Sequence, residues 1–283
     1  CLLSRGLGDV YKRQLLYWAV SMREAKNYCG HVRSGSSSRK HWLFQERDAG
    51  SCRLSWEIRS VIMRHFPLRF REVKMGRENA VYEKFRKDYP VLKEQPVWEA
   101  FELLLKSCRN GGKILVCGNG GSASDSEHIV GELMKGFLLK RQLPDEEKEK
   151  FRSLEGGEVL SEQLQQGIPA ISLNSYTSLM TAVGNDTSFD MIFAQQVYAY
   201  GQPGDVLIAM TTSGNSANIV EGAKTARVKG MKVLGITGEK ESALLKYCDV
   251  CFRMPSTETY RVQEYTLPLY HTLCAMLEEA VFG

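Results

Sequence analysis

No apolar run in this 283-residue chain reaches the roughly 18 residues that a membrane-spanning helix requires. Cysteine is too sparse for a disulfide-held scaffold, with eight residues over the whole length. Most of the cysteines fall in apolar segments that read as core, which points to a reducing, cytoplasmic compartment. The pair Cys248 and Cys251 stands alone at the start of a strand, with no second pair, and reads as packing rather than redox or metal chemistry. Histidine is scarce too: five in all, of which only His128 and His271 lie beyond residue 74. Hydrophobic content of 43% and charged content of 25% are those of an ordinary globular protein and argue against disorder as the dominant state.

The formal net charge of +4 suggests a nucleic-acid partner only if it is evenly spread. It is not. Residues 1–74 carry 15 Lys and Arg against 6 Asp and Glu, and residues 75–283 carry 22 against 27. The leader also lacks sustained helical or strand periodicity. Its apolar stretch ends at Met22, Arg23 and Glu24 without a small-residue cleavage site, so it is no convincing signal peptide. No helix-turn-helix pattern supports a DNA reader there. Residues 1–74 are therefore expected to be a non-native or disordered leader, and residues 75–283, acidic overall, the folded domain.

In that domain Val97, Trp98, Phe101, Leu104, Leu105 and Cys108 share one helical face, and Asn110-Gly111-Gly112 ends the helix. Short apolar runs of strand length follow at 113–117, 169–173, 205–210, 232–236 and 249–253. Helical stretches separate them near 123–138, 188–200, 216–229, 241–247 and 260–281. This alternation predicts an α/β fold, a three-layer sandwich with a parallel sheet flanked by helices, of flavodoxin-like or Rossmann-like kind. The polar segment 140–166 reads as a solvated surface insertion.

Two strands run into loops suited to an anion. The first leads to Gly118-Asn119-Gly120-Gly121-Ser122 and then a helix, whose amides and dipole favour negative charge. It matches neither the dinucleotide fingerprint nor the Walker A loop. The second strand leads to Thr211-Thr212-Ser213-Gly214-Asn215-Ser216, with four hydroxyls in six residues, and again opens a helix. Neither loop contains Lys or Arg. Capping chemistry would explain one Ser/Thr cluster; two such loops at two strand ends point to a phosphorylated ligand.

With Gly230-Met231-Lys232-Val233 downstream, these segments resemble the sugar isomerase (SIS) domain family, and within it the phosphoheptose isomerase group, over about residues 77–281. The resemblance implies an aldose–ketose isomerase that converts sedoheptulose 7-phosphate to a heptose 7-phosphate for surface-glycan precursors. It implies substrate contacts from Asn119, Gly120, Gly121, Ser122, Glu132, Asn185, Asp186 and Gln263, with Thr211, Thr212, Ser213 and Ser216 holding the phosphate. It also implies Glu132 and His271 as the general acid/base pair, and His128, Glu132, Gln263 and His271 as ligands of one Zn²⁺ per subunit. His128 and Glu132, spaced i,i+4, share a helix face. Coordination lowers a carboxylate's basicity, so either Glu132 leaves the ion during turnover or the zinc is partly structural. Gln263 and His271 are eight residues apart on one helix, roughly 12 Å and about 80° of rotation. A contribution across a subunit interface is therefore expected, in keeping with the family's homotetramer. The pattern departs from the family at Gly136, Tyr260 and Thr266 and in the longer insertion.

Two other readings belong to different classes. One is a non-catalytic SIS protein that binds the bacterial replication initiator; that relative lacks equivalents of Glu132 and His271, which are present here. The other is a sugar-phosphate-sensing regulator, which would need residues 1–74 to form a DNA-binding domain. The reading adopted has a sugar phosphate as ligand, with neither nucleic acid nor membrane as partner.

Overall fold

β-Branched and aliphatic residues dominate five short segments, and these pair into one fully parallel sheet. The computed structural model describes residues 79–283; the leader reading, on residues 1–74, lies outside them. In chain order the elements are α1 (Ala80–Asp88), α2 (Val97–Arg109), β1 (Ile114–Gly118), α3 (Gly121–Met134), α4 (Asp145–Arg152) and α5 (Glu158–Gln163). They continue as β2 (Ala170–Ser172), α6 (Thr177–Asp186), α7 (Ile192–Tyr200), β3 (Val206–Met210), α8 (Ala217–Val228), β4 (Lys232–Gly238), β5 (Val250–Met254) and α9 (Thr259–Phe282). Short 3₁₀ turns at Phe189–Met191 and Leu244–Tyr247 occupy parts of the expected helices near 188–200 and 241–247.

The strand order is β2-β1-β3-β4-β5. Ile114 lies in register with Ala170 on one side and Val206 on the other. This is the doubly wound order of flavodoxin-like folds, in which ligands sit beyond the carboxyl ends of β1 and β3, where the winding reverses. The two anion-type loops leave the sheet at those two ends.

Both faces of β1 and β3 are buried along their whole length, as sheet-covering helices require. One face packs Phe101, Leu104, Ile129, Leu133, Leu273 and Met276 from α2, α3 and α9. The other packs Phe193, Val197, Ile219 and Ala223 from α7 and α8. Each such side chain contributes about 1.5–3 kcal/mol on full burial.

Helix α3 stops at Met134, short of the expected 138, because Lys135 is extended (φ −134°, ψ 173°). The segment 140–166 folds into α4 and α5, closed at its base by the antiparallel bridge Gln142–Gln165. α4 buries no residue, as a solvated insertion should. Arg141 at its base is only 1% exposed, a departure from that reading.

Candidate active site

The first loop requires glycine for two separate reasons. Gly120 has φ +56° and ψ −122°, a conformation essentially closed to residues with a Cβ. Gly121 lies against the last helix: a Cβ there would come 2.6 Å from Nε2 of Gln263. The loop is latched from just beyond the end of β2 by Asn174, whose Oδ1 accepts from the Gly118 N–H (3.2 Å) and whose Nδ2 donates to the Gly118 carbonyl (2.8 Å).

Asn119 is placed differently from a free substrate ligand. Its side-chain amide and that of Asn218 donate to each other reciprocally, both at 2.9 Å. Asn218 is buried in the first turn of α8, so this pair couples the loop after β1 to the helix after β3. Gly120, Gly121 and Ser122 remain at the start of α3, Ser122 buried.

The second loop turns its hydroxyls on one another. Oγ1 of Thr211 lies 2.9 Å from Oγ of Ser216 and 3.4 Å from Oγ of Ser213. Ser216 stands at the N-cap of α8 without capping it through its side chain. Its hydroxyl stays within the loop, against that of Thr211. Oγ1 of Thr212 lies 3.5 Å from that of Thr259, which links this loop to the first residue of α9.

The two histidines beyond the leader meet. Nε2 of His128 is 3.5 Å from Nε2 of His271 and 3.3 Å from Oε1 of Glu132. The other carboxylate oxygen of Glu132 accepts from Nζ of Lys135 at 2.8 Å. Gln263 touches α3 at Gly121, and His271 touches it at His128, seven residues further on. Helices α3 and α9 thus run side by side in the same direction, which is how residues eight apart on α9 both reach α3 within one chain. Burial, and then the neighbouring His128, push the His271 imidazole below its ordinary pKa, with Glu132 opposing them.

Tyr270 completes the cluster and carried no signal in the sequence. Its hydroxyl is 2.9 Å from Nδ1 of His128 and donates to Oδ1 of Asp125 at 3.3 Å. Tyr270 thus holds the Nδ1 edge of the His128 ring and turns its Nε2 edge toward His271 and Glu132. Burial first, then the Asp125 charge and hydrogen bond, push the Tyr270 hydroxyl up. Burial likewise raises Asp125, against its bond to Tyr270 and the His128 charge.

Asn185 and Asp186 stand apart. They hydrogen-bond each other (3.0 Å) at the exposed end of α6 and make no hydrogen bond to the other candidate residues. A separate cleft of about 370 Å³, lined by Glu127, Val130, Met134, Ser175 and Tyr176 among others, contains none of the candidate residues.

Two imidazoles, a carboxylate and an amide make a donor set that suits zinc. The 3.5 and 3.3 Å separations are close to the roughly 3.3 Å edge of a tetrahedron with bonds of about 2.0–2.1 Å. Among the described residues, however, no three or more His, Cys, Asp and Glu close into a metal-binding group. Residue type and two edges fit an ion; the set in one chain is open.

A doubly wound sheet with two uncharged anion loops at its switch point, beside a His–Glu–His cluster, defines a protein that handles a phosphorylated small molecule and can move protons on it. A model of the SIS domain matches residues 83–169 and 156–238, and the chain belongs to that family. A phosphoheptose isomerase of Rhodospirillum rubrum is 41% identical over 183 residues, 65% of this chain and 85% of the relative. One from Aneurinibacillus thermoaerophilus is 36% identical over 189 residues, 67% of this chain and 81% of the relative. The structure of phosphoheptose isomerase from Neisseria gonorrhoeae is similar with a TM-score of 0.55 at 30% identity, over 78% of this chain and 99% of that one. That of Francisella tularensis gives 0.56 at 29%, over 72% and 100%.

Proposed function

We propose that this chain is an aldose–ketose isomerase that converts sedoheptulose 7-phosphate to a heptose 7-phosphate, a precursor of surface-glycan heptose. The observation that carries this reading is the convergence of His128, Glu132 and His271 beside two strand-end loops, in a chain whose relatives are phosphoheptose isomerases. Ketose-to-aldose conversion removes a proton from C1, passes through an enediolate and returns a proton at C2. It also needs a proton moved between the two oxygens. Glu132 takes the carbon-bound proton. His271, whose charged form burial disfavours, exchanges protons with the sugar oxygens. The hydroxyls of Thr211, Thr212, Ser213 and Ser216 and the amides at the start of α8 bind the phosphate. Gly120, Gly121 and Ser122, with the backbone of Asn119, orient the sugar chain, joined by Gln263. Holding the reacting groups in one geometry is itself a large part of such catalysis.

His128, Glu132, Gln263 and His271 would hold a Zn²⁺ ion, one per subunit; when bound, it would supply a positive charge that favours the oxyanion. The subunit would assemble as a homotetramer with active sites between chains, Asn185 and Asp186 coming from a neighbour. The half-exposed His128 and the separation of Asn185 and Asp186 from the cluster support this. Among the described residues five cysteines are free and no helix is long and apolar enough to cross a membrane.

The test is an isomerase assay of the full chain on sedoheptulose 7-phosphate, with and without added zinc. Glu132→Gln and His271→Ala should each lower kcat by about 10²–10⁴-fold. Unchanged turnover in both variants would remove the catalytic assignment. Substrate binding without turnover in the unmutated chain would favour the non-catalytic, initiator-binding class.

A further inference from the structure

Arg141 and Glu278 form a buried ion pair that the chemistry above does not use. Their side chains are 0% and 1% exposed, with Nε of Arg141 donating to Oε1 of Glu278 at 2.7 Å. Taking both charges out of water costs several kcal/mol, and such a pair is weak evidence of stabilisation for its own sake. What the remaining polar atoms touch is more informative.

The Arg141 fork reaches the end of α3. One terminal nitrogen donates to the Leu133 carbonyl (2.6 Å) and the other to the Glu132 carbonyl (3.0 Å). These are carbonyls of a last helical turn, which lack partners within the helix and carry the negative end of its dipole. Glu278 accepts, besides Arg141, the N–H groups of Phe137 (2.8 Å), Leu138 (2.6 Å) and Leu139 (3.0 Å). One carboxylate on α9 therefore gathers the chain that leaves α3, and the cation it holds caps α3 itself.

The placement matters because Glu132 sits in that last turn, and last turns fray. Apart from Arg141, the Leu133 carbonyl is held by the Ile168 N–H at 2.9 Å. Glu278 lies seven residues beyond His271, on the same stripe of α9. The bonded path Glu132 carbonyl, Arg141, Glu278 thus ties the backbone of one reacting side chain to the helix that carries the other.

We infer that Arg141 and Glu278 are positioning residues, fixing the Glu132 carboxylate against His271 by locking the end of α3 to α9. This rests on the proton-transfer roles proposed above. A guanidinium is needed, since an ammonium cannot serve one carboxylate and two separate carbonyls from a planar fork.

The experiment uses the full chain with Arg141→Lys, which keeps the charge opposite Glu278 and gives up the fork. Circular dichroism and thermal melts establish that the variant is folded. kcat for sedoheptulose 7-phosphate should then fall about tenfold or more, as expected for a displacement below 1 Å. KM should stay within about twofold, because the phosphate loop is untouched. A second readout is the ring-proton NMR signals of the histidines. Those of His128 and His271 should shift. Should Arg141→Lys fail to fold, Glu278→Gln carries the same test, since its amide oxygen still accepts from the loop. A folded variant with unchanged kcat and unmoved His128 and His271 signals overturns the inference. So does a loss of kcat no larger than the loss of folded protein. If the unmutated chain does not isomerise the sugar, the functional reading fails and the NMR signals alone decide the positioning role.

Discussion

His271 is partly buried and faces a second imidazole, and both effects disfavour its charged form. In protein stripped of metal by a chelator, His271 should titrate below the ordinary value of 6.5. Replacing His128 with Asn removes one of the two depressing influences and should move it back upward; histidine NMR against pH measures both. Because the folded value is the depressed one, the unfolded chain binds the extra proton first. The stability His271 contributes is full above 6.5 and is lost as pH falls through its folded value. A His271 that titrates at or above an exposed histidine would contradict this placement. At this scale the sequence was legible where the signal was local: His128 and Glu132 sit one helical turn apart, and the two loops announced themselves by residue type. Tyr270, Asp125, Asn174 and Asn218 were not legible. Each acts through a partner far along the chain, 142 residues away for Tyr270 and His128, and no spacing rule reports such a pair.

Elements were easier to read than their ends. The five strands appear within a residue or two of where the apolar runs put them, most clearly β1 and β3, which are buried on both faces and so must be continuously apolar. Helix α1 was not read: its N-terminus depends on Asn79, whose Oδ1 accepts the Tyr82 N–H at 2.9 Å, and its apolar face is short. The end of α3 was missed because Arg141, seven residues past Met134, supplies the cap. Joins between elements also rest on single carboxylates. Asp249, just before β5, accepts from Nζ of Lys232 (2.7 Å) in β4, the Val233 N–H (2.9 Å) and Arg227 (2.9 Å) in α8. Burial alone would raise its pKa; Lys232, the Val233 N–H and Arg227 together outweigh burial and hold it below the ordinary 3.8. A depressed carboxylate stabilises the fold above its unfolded pKa and loses that contribution as pH falls through the folded one. Asp249→Asn should therefore lower Tm by about 2–4 °C at pH 7, with the difference narrowing toward pH 3. Thermal melts across that range check it, and a gap that stays constant with pH would show that Asp249 acts through packing instead.

At the scale of the whole molecule, the homotetramer proposed above would bring together residues that one chain keeps apart. Within one chain, His128, Glu132 and His271 converge, whereas Asn185 and Asp186 bond only each other at the exposed end of α6. If a site takes Glu132 from one subunit and Asp186 from its neighbour, the two losses can complement. Glu132→Gln alone and Asp186→Ala alone should each be nearly inactive. Mixed in equal amounts, dissociated and reassociated, they should regain activity, because in a closed symmetric assembly about one site in four draws both intact residues. Native mass spectrometry of the mixture should show tetramers of mixed composition. Residues that share a site within one chain give the control: Glu132→Gln mixed with His271→Ala should regain nothing, since no exchange of subunits rebuilds a chain carrying both. No recovery in the first pair despite mixed tetramers would place Asp186 and Glu132 in the same subunit's site, and recovery in the control pair would show that Glu132 and His271 of one site come from different chains. The acidic balance of residues 75–283 does not oppose a phosphorylated substrate in either case. The anion would meet hydroxyls, backbone amides and two helix N-termini, which carry their positive potential locally whatever the net charge of the molecule.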